Sequence, residues 1–370
     1  MNERERFLRV MRGGTADRPP HHELGLWGQT AEKFVRRGMP ESAAAADWQR
    51  GCQWLGLDRR EYVPLDCGPL PRFEREVLEE TERWVTYRDP NGVVRRALKE
   101  GERRGTRASM DQFLEHPVQD AEDFERMRER YDPRDPRRYP GNWEVLVRHW
   151  RGRDYPLFLP ESTAFGYYNT LRTWMGTEGL SVAFHDEPEL VEWMVEFLVD
   201  FFMELAGPAL RALDVDCLLI FEDLAYRSDP LLSPRTFRRF FGDAYSRTAR
   251  FAREHGVEAV WVDSDGNLGP LLEPMCEAGV TCICPCEVAA GMDPVRLSER
   301  WRSRLVLSGG VDKRVLARGK EQIDREVDRL RPVVESGGYI PTLDHAVPPD
   351  VPWENFLHYL EAKKRLLGGL

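Results

Sequence analysis

Several short apolar runs in the C-terminal half of this chain end in residues able to move protons or hold a cation. Val215–Phe221 runs into Glu222-Asp223, Val257–Val262 into Asp263-Ser264-Asp265-Gly266, and Val280–Cys284 is followed by Glu287. Arg304–Leu307 leads to Gly309-Gly310-Val311-Asp312-Lys313, and Gly338–Leu343 ends in Asp344-His345. Carboxylates in unlike surroundings can divide acid and base duties, and an imidazole titrates near neutral pH. Each residue also has a plainer use. A carboxylate after a strand often caps the next helix, and Asp265 before Gly266-Asn267 suits that role equally. Glu222 and Asp223 fit it less well, because the following helix has its own start signal in Ser233-Pro234. Asp312-Lys313 reads as a structural ion pair, whereas His345, between an apolar run and Pro348-Pro349, reads as a working imidazole. Glu222, Asp223 and His345 are therefore the candidate catalytic groups. Cys282, Cys284 and Cys286 alternate, which on a strand places all three on one face. Zinc knuckles present their cysteines from turns at wider spacing, so these read as small buried hydrophobes.

Acidic strand ends converge only if the strands are parallel. From about residue 155 onward, short β-rich runs alternate with longer segments of helical period, the pattern of a parallel sheet with crossover helices. The expected strands are Tyr155–Pro160 and the five runs above. Helices are expected around Pro188–Leu205 and Glu321–Val334, the latter with Ile323, Val327 and Leu330 on one face. Pro20–Trp27 and Tyr62–Leu65 supply two more strands, which makes eight and predicts a single (β/α)8 barrel of TIM type over residues 1–370. In such a barrel, ligands sit at the C-terminal strand ends. Phe73–Thr86 and Val93–Lys99 flank Asp89-Pro90-Asn91-Gly92, which predicts an inserted β-hairpin near residues 73–99.

The 370 residues carry a net charge of −10 with basic and acidic residues interleaved, so no basic stripe points to nucleic acid. Small molecules are the expected ligands. No run approaches the ~20 apolar residues of a membrane helix, and the charged opening Asn2-Glu3-Arg4-Glu5-Arg6 is unlike a signal segment. A cytoplasmic protein with its seven cysteines reduced is expected.

Particular stretches resemble the uroporphyrinogen decarboxylase superfamily, which includes the decarboxylase of haem biosynthesis and corrinoid-linked methyltransferases. They are Glu3–Leu8 with Asp17-Arg18-Pro19-Pro20, Phe221-Glu222-Asp223, Leu232-Ser233-Pro234, Asp265-Gly266, Gly309–Arg314, and Gly337–Ile340 leading to Asp344-His345 and Glu354-Asn355. The resemblance implies a barrel with its site at the strand ends, and makes Trp27, Tyr167, Asp263, Asp265 and Glu287 candidate substrate contacts. The decarboxylase has an arginine-rich motif after its first strand to hold a polyanion. The matching stretch here, Pro20–Gln29, has no arginine and contains Glu23, which is expected to repel an acidic porphyrinogen. The methyltransferases bind zinc through a His-x-Cys pair and a later Cys. Here those places hold Asp263-Ser264-Asp265 and His345, a harder donor set for zinc or a similar divalent ion, and a metal-free hydrogen-bonding site is an equal alternative. Three functions follow as expectations. The first is a methyltransferase moving methyl between a small methylated compound and a corrinoid on a partner protein. The others are a tetrapyrrole-acting decarboxylase and a non-catalytic binding barrel. A homodimer is a further expectation.

Overall fold

In the computed structural model, which describes residues 1–100, 102–104 and 109–368, the apolar runs become strands. β1 (Glu61–Tyr62) precedes an insert containing β2 (Glu76–Glu80), β3 (Trp84–Arg88), β4 (Val94–Leu98) and β5 (Gln112–Glu115). The chain then makes β6 (Leu157–Leu159), β7 (Cys217–Phe221), β8 (Ala259–Asp263), β9 (Cys282–Cys286), β10 (Val306–Val311) and β11 (Tyr339–Leu343). These form a seven-stranded sheet in the order β1-β6-β7-β8-β9-β10-β11, with every pair parallel. Strand order follows chain order because helices cross over between successive strands, among them Tyr167–Asp186, Pro188–Ala212 and Gly242–Glu254. This is an α/β architecture of TIM-barrel type with seven strands among the described residues.

The strand expected at Pro20–Trp27 does not form. Gly25 sits at φ 133° and interrupts extended backbone, and Pro20 has no N–H to give a ladder. The segment makes only an isolated parallel bridge from Leu26 to Val347. It still runs between the two sheet edges, since His21 O accepts from Asp58 N at 2.9 Å while Gly25 O accepts from Val347 N at 2.9 Å. The insert is larger than a hairpin: β2 to β5 form a separate four-stranded antiparallel sheet in which β3 and β4 flank Asp89–Val93. The expected helix Glu321–Val334 is two helices, Lys320–Arg329 and Arg331–Ser336, because Pro332 cannot continue the first.

Apolar side chains fill both faces of the parallel sheet. The larger cluster lies between sheet and helices. The smaller one joins Tyr62, Phe158, Leu219, Trp261 and Ile340 on the inner face to Phe7 and Val10. Phe7 belongs to the N-terminal helix Glu3–Met11, which starts with a reciprocal Asn2–Glu5 capping box. Its ring lies 5.2 Å from Phe158 and 6.5 Å from Trp261, so the helix stops the inner face at its N-terminal end. Only the opposite end, where the acidic residues follow the strands, remains for a ligand. Cys282 and Cys284 are buried in the inner cluster, but Cys286 joins the outer one. The three cysteines therefore do not share a face, and the change of side accompanies a register shift opposite, between Leu307 and Gly309 of β10. No helix among the described residues is long and apolar enough to cross a membrane.

Candidate active site

Backbone bonds continue the ladder beyond the strands and set the height of each acidic residue. Glu222 N donates to Asp263 O at 2.7 Å, Ser264 N to Cys284 O at 2.7 Å, and Asp344 N to Val311 O at 2.9 Å. Because strand residues alternate, Ser264 turns into the core, where its hydroxyl accepts from Leu224 N at 3.0 Å. Asp263 and Asp265 are left on the other side. Gly266 completes this turn at φ 86°, where a Cβ would collide with the carbonyl oxygens of Ala225 and Tyr226.

At the mouth, His345 Nε2 lies 3.7 Å from Asp265 Oδ2, with both side chains substantially exposed. Glu287 accepts from Lys313 Nζ at 3.1 Å and from Gly266 N at 3.3 Å. Lys313 also lies 3.6 Å from the buried Asp344, whose oxygens accept from Lys313 N and Val288 N. Lys313 thus joins Glu287 to Asp344, and Asp312 pairs instead with Arg314. Asp223 pairs with Arg172. Burial pushes the Asp263 carboxyl up to about 7, with Asp265 adding to the effect and Arg60 opposing it. Burial likewise raises Asp265, against the attraction of His345, and raises Asp344 to about 6 against that of Lys313. The mouth therefore holds carboxyls able to carry protons near neutral pH.

Other expected site residues are placed differently. Glu222 is 1% exposed. Its Oε1 accepts from Tyr167 N at 2.8 Å, Tyr168 N at 3.3 Å and Tyr245 Oη at 2.7 Å, and its Oε2 from Asn169 N at 2.8 Å. It closes the N-terminus of helix Tyr167–Asp186 from another strand, the work of a cap done across the fold. Gly166 permits this approach, because a Cβ there would lie 1.7 Å from Phe221 O. Tyr167 is fully buried, with its hydroxyl bonded to Thr248 at 2.5 Å, so it lies in the core and not against a ligand. Trp27 starts the helix Gly28–Val35 with its ring partly exposed. Glu23 does not present a free charge: it is 1% exposed, lies 2.6 Å from Lys363 Nζ, and accepts from Tyr359 Oη and Leu343 N. The expected repulsion from Glu23 is thereby cancelled by Lys363.

Nor do Asp263, Asp265 and His345 form a ready metal site. Among the described residues, no three His, Cys, Asp or Glu side chains gather around one point. A cavity of about 470 Å³ opens beside the mouth, past the ends of β1 and β6, lined by Asp66, Arg72, Glu161, Asn169, Thr170 and Thr173 among others. None of the acidic residues that follow β7 to β11 lines it. Its connection to the site is Asn169, whose N–H is held by Glu222.

The sequence profile described as uroporphyrinogen decarboxylase (URO-D) matches residues 162–366, from the end of β6 through the last helix. The chain belongs to the URO-D family. Over nearly its whole length the fold is similar to a methyltransferase from Methanosarcina mazei, at 17% identity and a TM-score of 0.61, covering 99% of both chains. A weaker likeness, at 12% identity and a TM-score of 0.40, is to a B12-independent methionine synthase from Shewanella sp. W3-18-1, covering 80% of this chain and 74% of that one. No curated protein sequence matches. The URO-D match includes the segments that carry Glu222, the acidic mouth and His345, and not β1 or the Pro20–Trp27 segment.

Proposed function

We propose that this URO-D family member is a methyltransferase that passes a methyl group from a small methylated compound to a corrinoid carried by a partner protein. The observation that carries this reading is the His345–Asp265 pair among carboxyls with raised pKa values, in a mouth whose Lys313 and Arg172 already serve acidic partners. The corrinoid supplies an acceptor for the methyl group when its protein is docked. The departing oxygen or nitrogen then needs a proton, and His345 stands where it can deliver one, with Asp265 orienting the imidazole. Asp223, Asp263 and Glu287 line the approach, and Glu222 is a positioning residue that holds helix Tyr167–Asp186 and so Asn169. No step is assigned to a metal, because the donors do not converge. The similarity of the fold to a methyltransferase from Methanosarcina mazei supports this reading. Decarboxylation of a polyanionic tetrapyrrole fits less well, since an acidic mouth disfavours a substrate of the same sign.

The test is spectroscopic. The protein, a reduced corrinoid protein and a panel of methylated ethers, amines and thioethers are mixed, and the cobalt absorbance is followed. Methylation of the corrinoid that depends on both protein and donor supports the reading. Decarboxylation of uroporphyrinogen without any methylation replaces it with the second function, and binding without turnover replaces it with the third.

A further inference from the structure

The cavity of about 470 Å³ beside the mouth lies between two parts of the chain. One wall is the start of helix Tyr167–Asp186, with Asn169, Thr170 and Thr173. The other is the loop after β1, with Asp66, Gly68 and Arg72, together with Asn91 of the β3–β4 turn. This second wall falls outside residues 162–366, so the URO-D match does not account for it. Cavities of roughly 300–1,000 Å³ are the usual size for small-molecule sites. The His345–Asp265 pair does not line this one.

The second wall is held in shape from behind and from the front. Arg138 is fully buried and gives Nη1 to Asp66 O and Gly68 O, both at 2.8 Å, and Nη2 to Arg130 O at 2.9 Å. Burying a guanidinium among carbonyls alone costs free energy, and here it fixes the backbone that lines the cavity. In front, Gly68 lets Arg72 lie across the loop, since a Cβ there would sit 2.1 Å from Arg72 Nη1. Arg72 Nη2 then donates to Asp66 Oδ1 at 2.7 Å.

The charges on the walls are already matched, Asp66 by Arg72 and Glu161 by Arg50. A charged ligand would have to break one of these pairs or leave its own charge unpaired. The hydrogen-bonding groups left open are of both kinds. Among the described residues, Asp66 keeps Oδ2 as an acceptor and Arg72 keeps Nη1 as a donor. Asn91 engages only its backbone, N donating to Asp89 Oδ1 at 2.8 Å, so its amide is open. Asn169 Oδ1 accepts from Arg172 at 3.4 Å, which leaves Nδ2 to donate. Thr170 and Thr173 give their hydroxyl protons to Gly166 O and Asn169 O and keep lone pairs to offer. A hydroxyl both donates and accepts, so several of them on one uncharged frame match such walls.

We propose that this cavity binds a neutral polyhydroxylated molecule, a monosaccharide or cyclic polyol, between the barrel and the insert. Pro64 and Ala164 give apolar surface for its ring carbons. The site goes beyond methyl transfer and does not depend on it.

Calorimetric titration of the wild-type protein with D-glucose, D-galactose and myo-inositol, against cyclohexanol, acetate and putrescine, tests the site without turnover. At least one polyol binds roughly tenfold or more tightly than every control. Arg72→Gln and Asn91→Ala each weaken that binding roughly fivefold or more in proteins whose circular dichroism is unchanged, and His345→Ala leaves it as it was. The proposal is overturned if no polyol exceeds the controls, a comparison that needs no variant, or if acetate or putrescine binds best. It is equally overturned if both wall variants, folded, bind the polyol as the wild type does, or if His345→Ala abolishes binding, which would place the polyol in the mouth. Since only binding is read, failure of the methyl-transfer reading leaves this test intact.

Discussion

Glu222 offers the sharpest check on how this structure handles buried charge. It is enclosed, its carboxyl accepts from Tyr167 N, Tyr168 N, Asn169 N and Tyr245 Oη, and burial still raises its pKa from 4.5 to about 7. The folded protein therefore keeps a proton on this group over a pH range in which the unfolded chain has released it. That contribution to stability is fully present below about pH 4.5 and is lost as pH rises through 7. At about 1.4 kcal/mol per pH unit, the loss amounts to about 3 kcal/mol. In Glu222→Gln the site cannot ionise, so the loss is absent. Asp263 and Asp344 shift in the same direction but are present in both proteins, and their effect cancels in the comparison. Urea unfolding at pH 4.5, 6, 7 and 8, followed by far-ultraviolet circular dichroism, should show wild-type stability falling relative to the variant by about 3 kcal/mol across the series. Parallel pH profiles for the two proteins would refute the reasoning, and would mean that the four donors outweigh burial.

Three other outcomes are expected. His345→Ala should lower kcat for methyl transfer by roughly 10²-fold or more while leaving the melting temperature within about a degree, because the imidazole is 38% exposed. Lys363→Met should destabilise the protein by about 3–5 kcal/mol in chemical unfolding, since it strands Glu23 as a buried, unpaired carboxylate; Glu23→Gln in the same chain should recover part of the loss. Uroporphyrinogen should be decarboxylated slowly or not at all in an assay of evolved carbon dioxide.

The acidic strand ends were readable because a parallel strand leaves a local mark: a β-branched run, then a polar residue. Asp263-Ser264-Asp265 and Asp344-His345 lie where that mark puts them. What could not be read was the far partner. Nothing near Glu222 announces that it closes a helix beginning at Tyr167, since the link runs between residues 55 apart. Tyr167 looks like a ligand contact in sequence and is core, because a helix start shows nothing of the strand beneath it. Glu23 and Lys363 stand at opposite ends of the chain, so their cancellation appears only on folding. β2, Glu76-Val77-Leu78-Glu79-Glu80, is exposed throughout and lacks an alternating pattern, which is why the insert read as a hairpin.

The helix that stops the inner face also sets an order of events. Phe7 is made well before its ring partners Phe158 and Trp261, which belong to strands more than 150 and 250 residues later. Until β8 leaves the ribosome, Phe7 and Val10 have no complete surface to cover and stay in water or against a chaperone. Closing so long a loop is entropically slow, so the helix docks late although it is synthesised before the strands it covers. Residues 1–11 are thus a built-in final fastening, and a nascent chain released before Trp261 would have its first helix with nowhere to go.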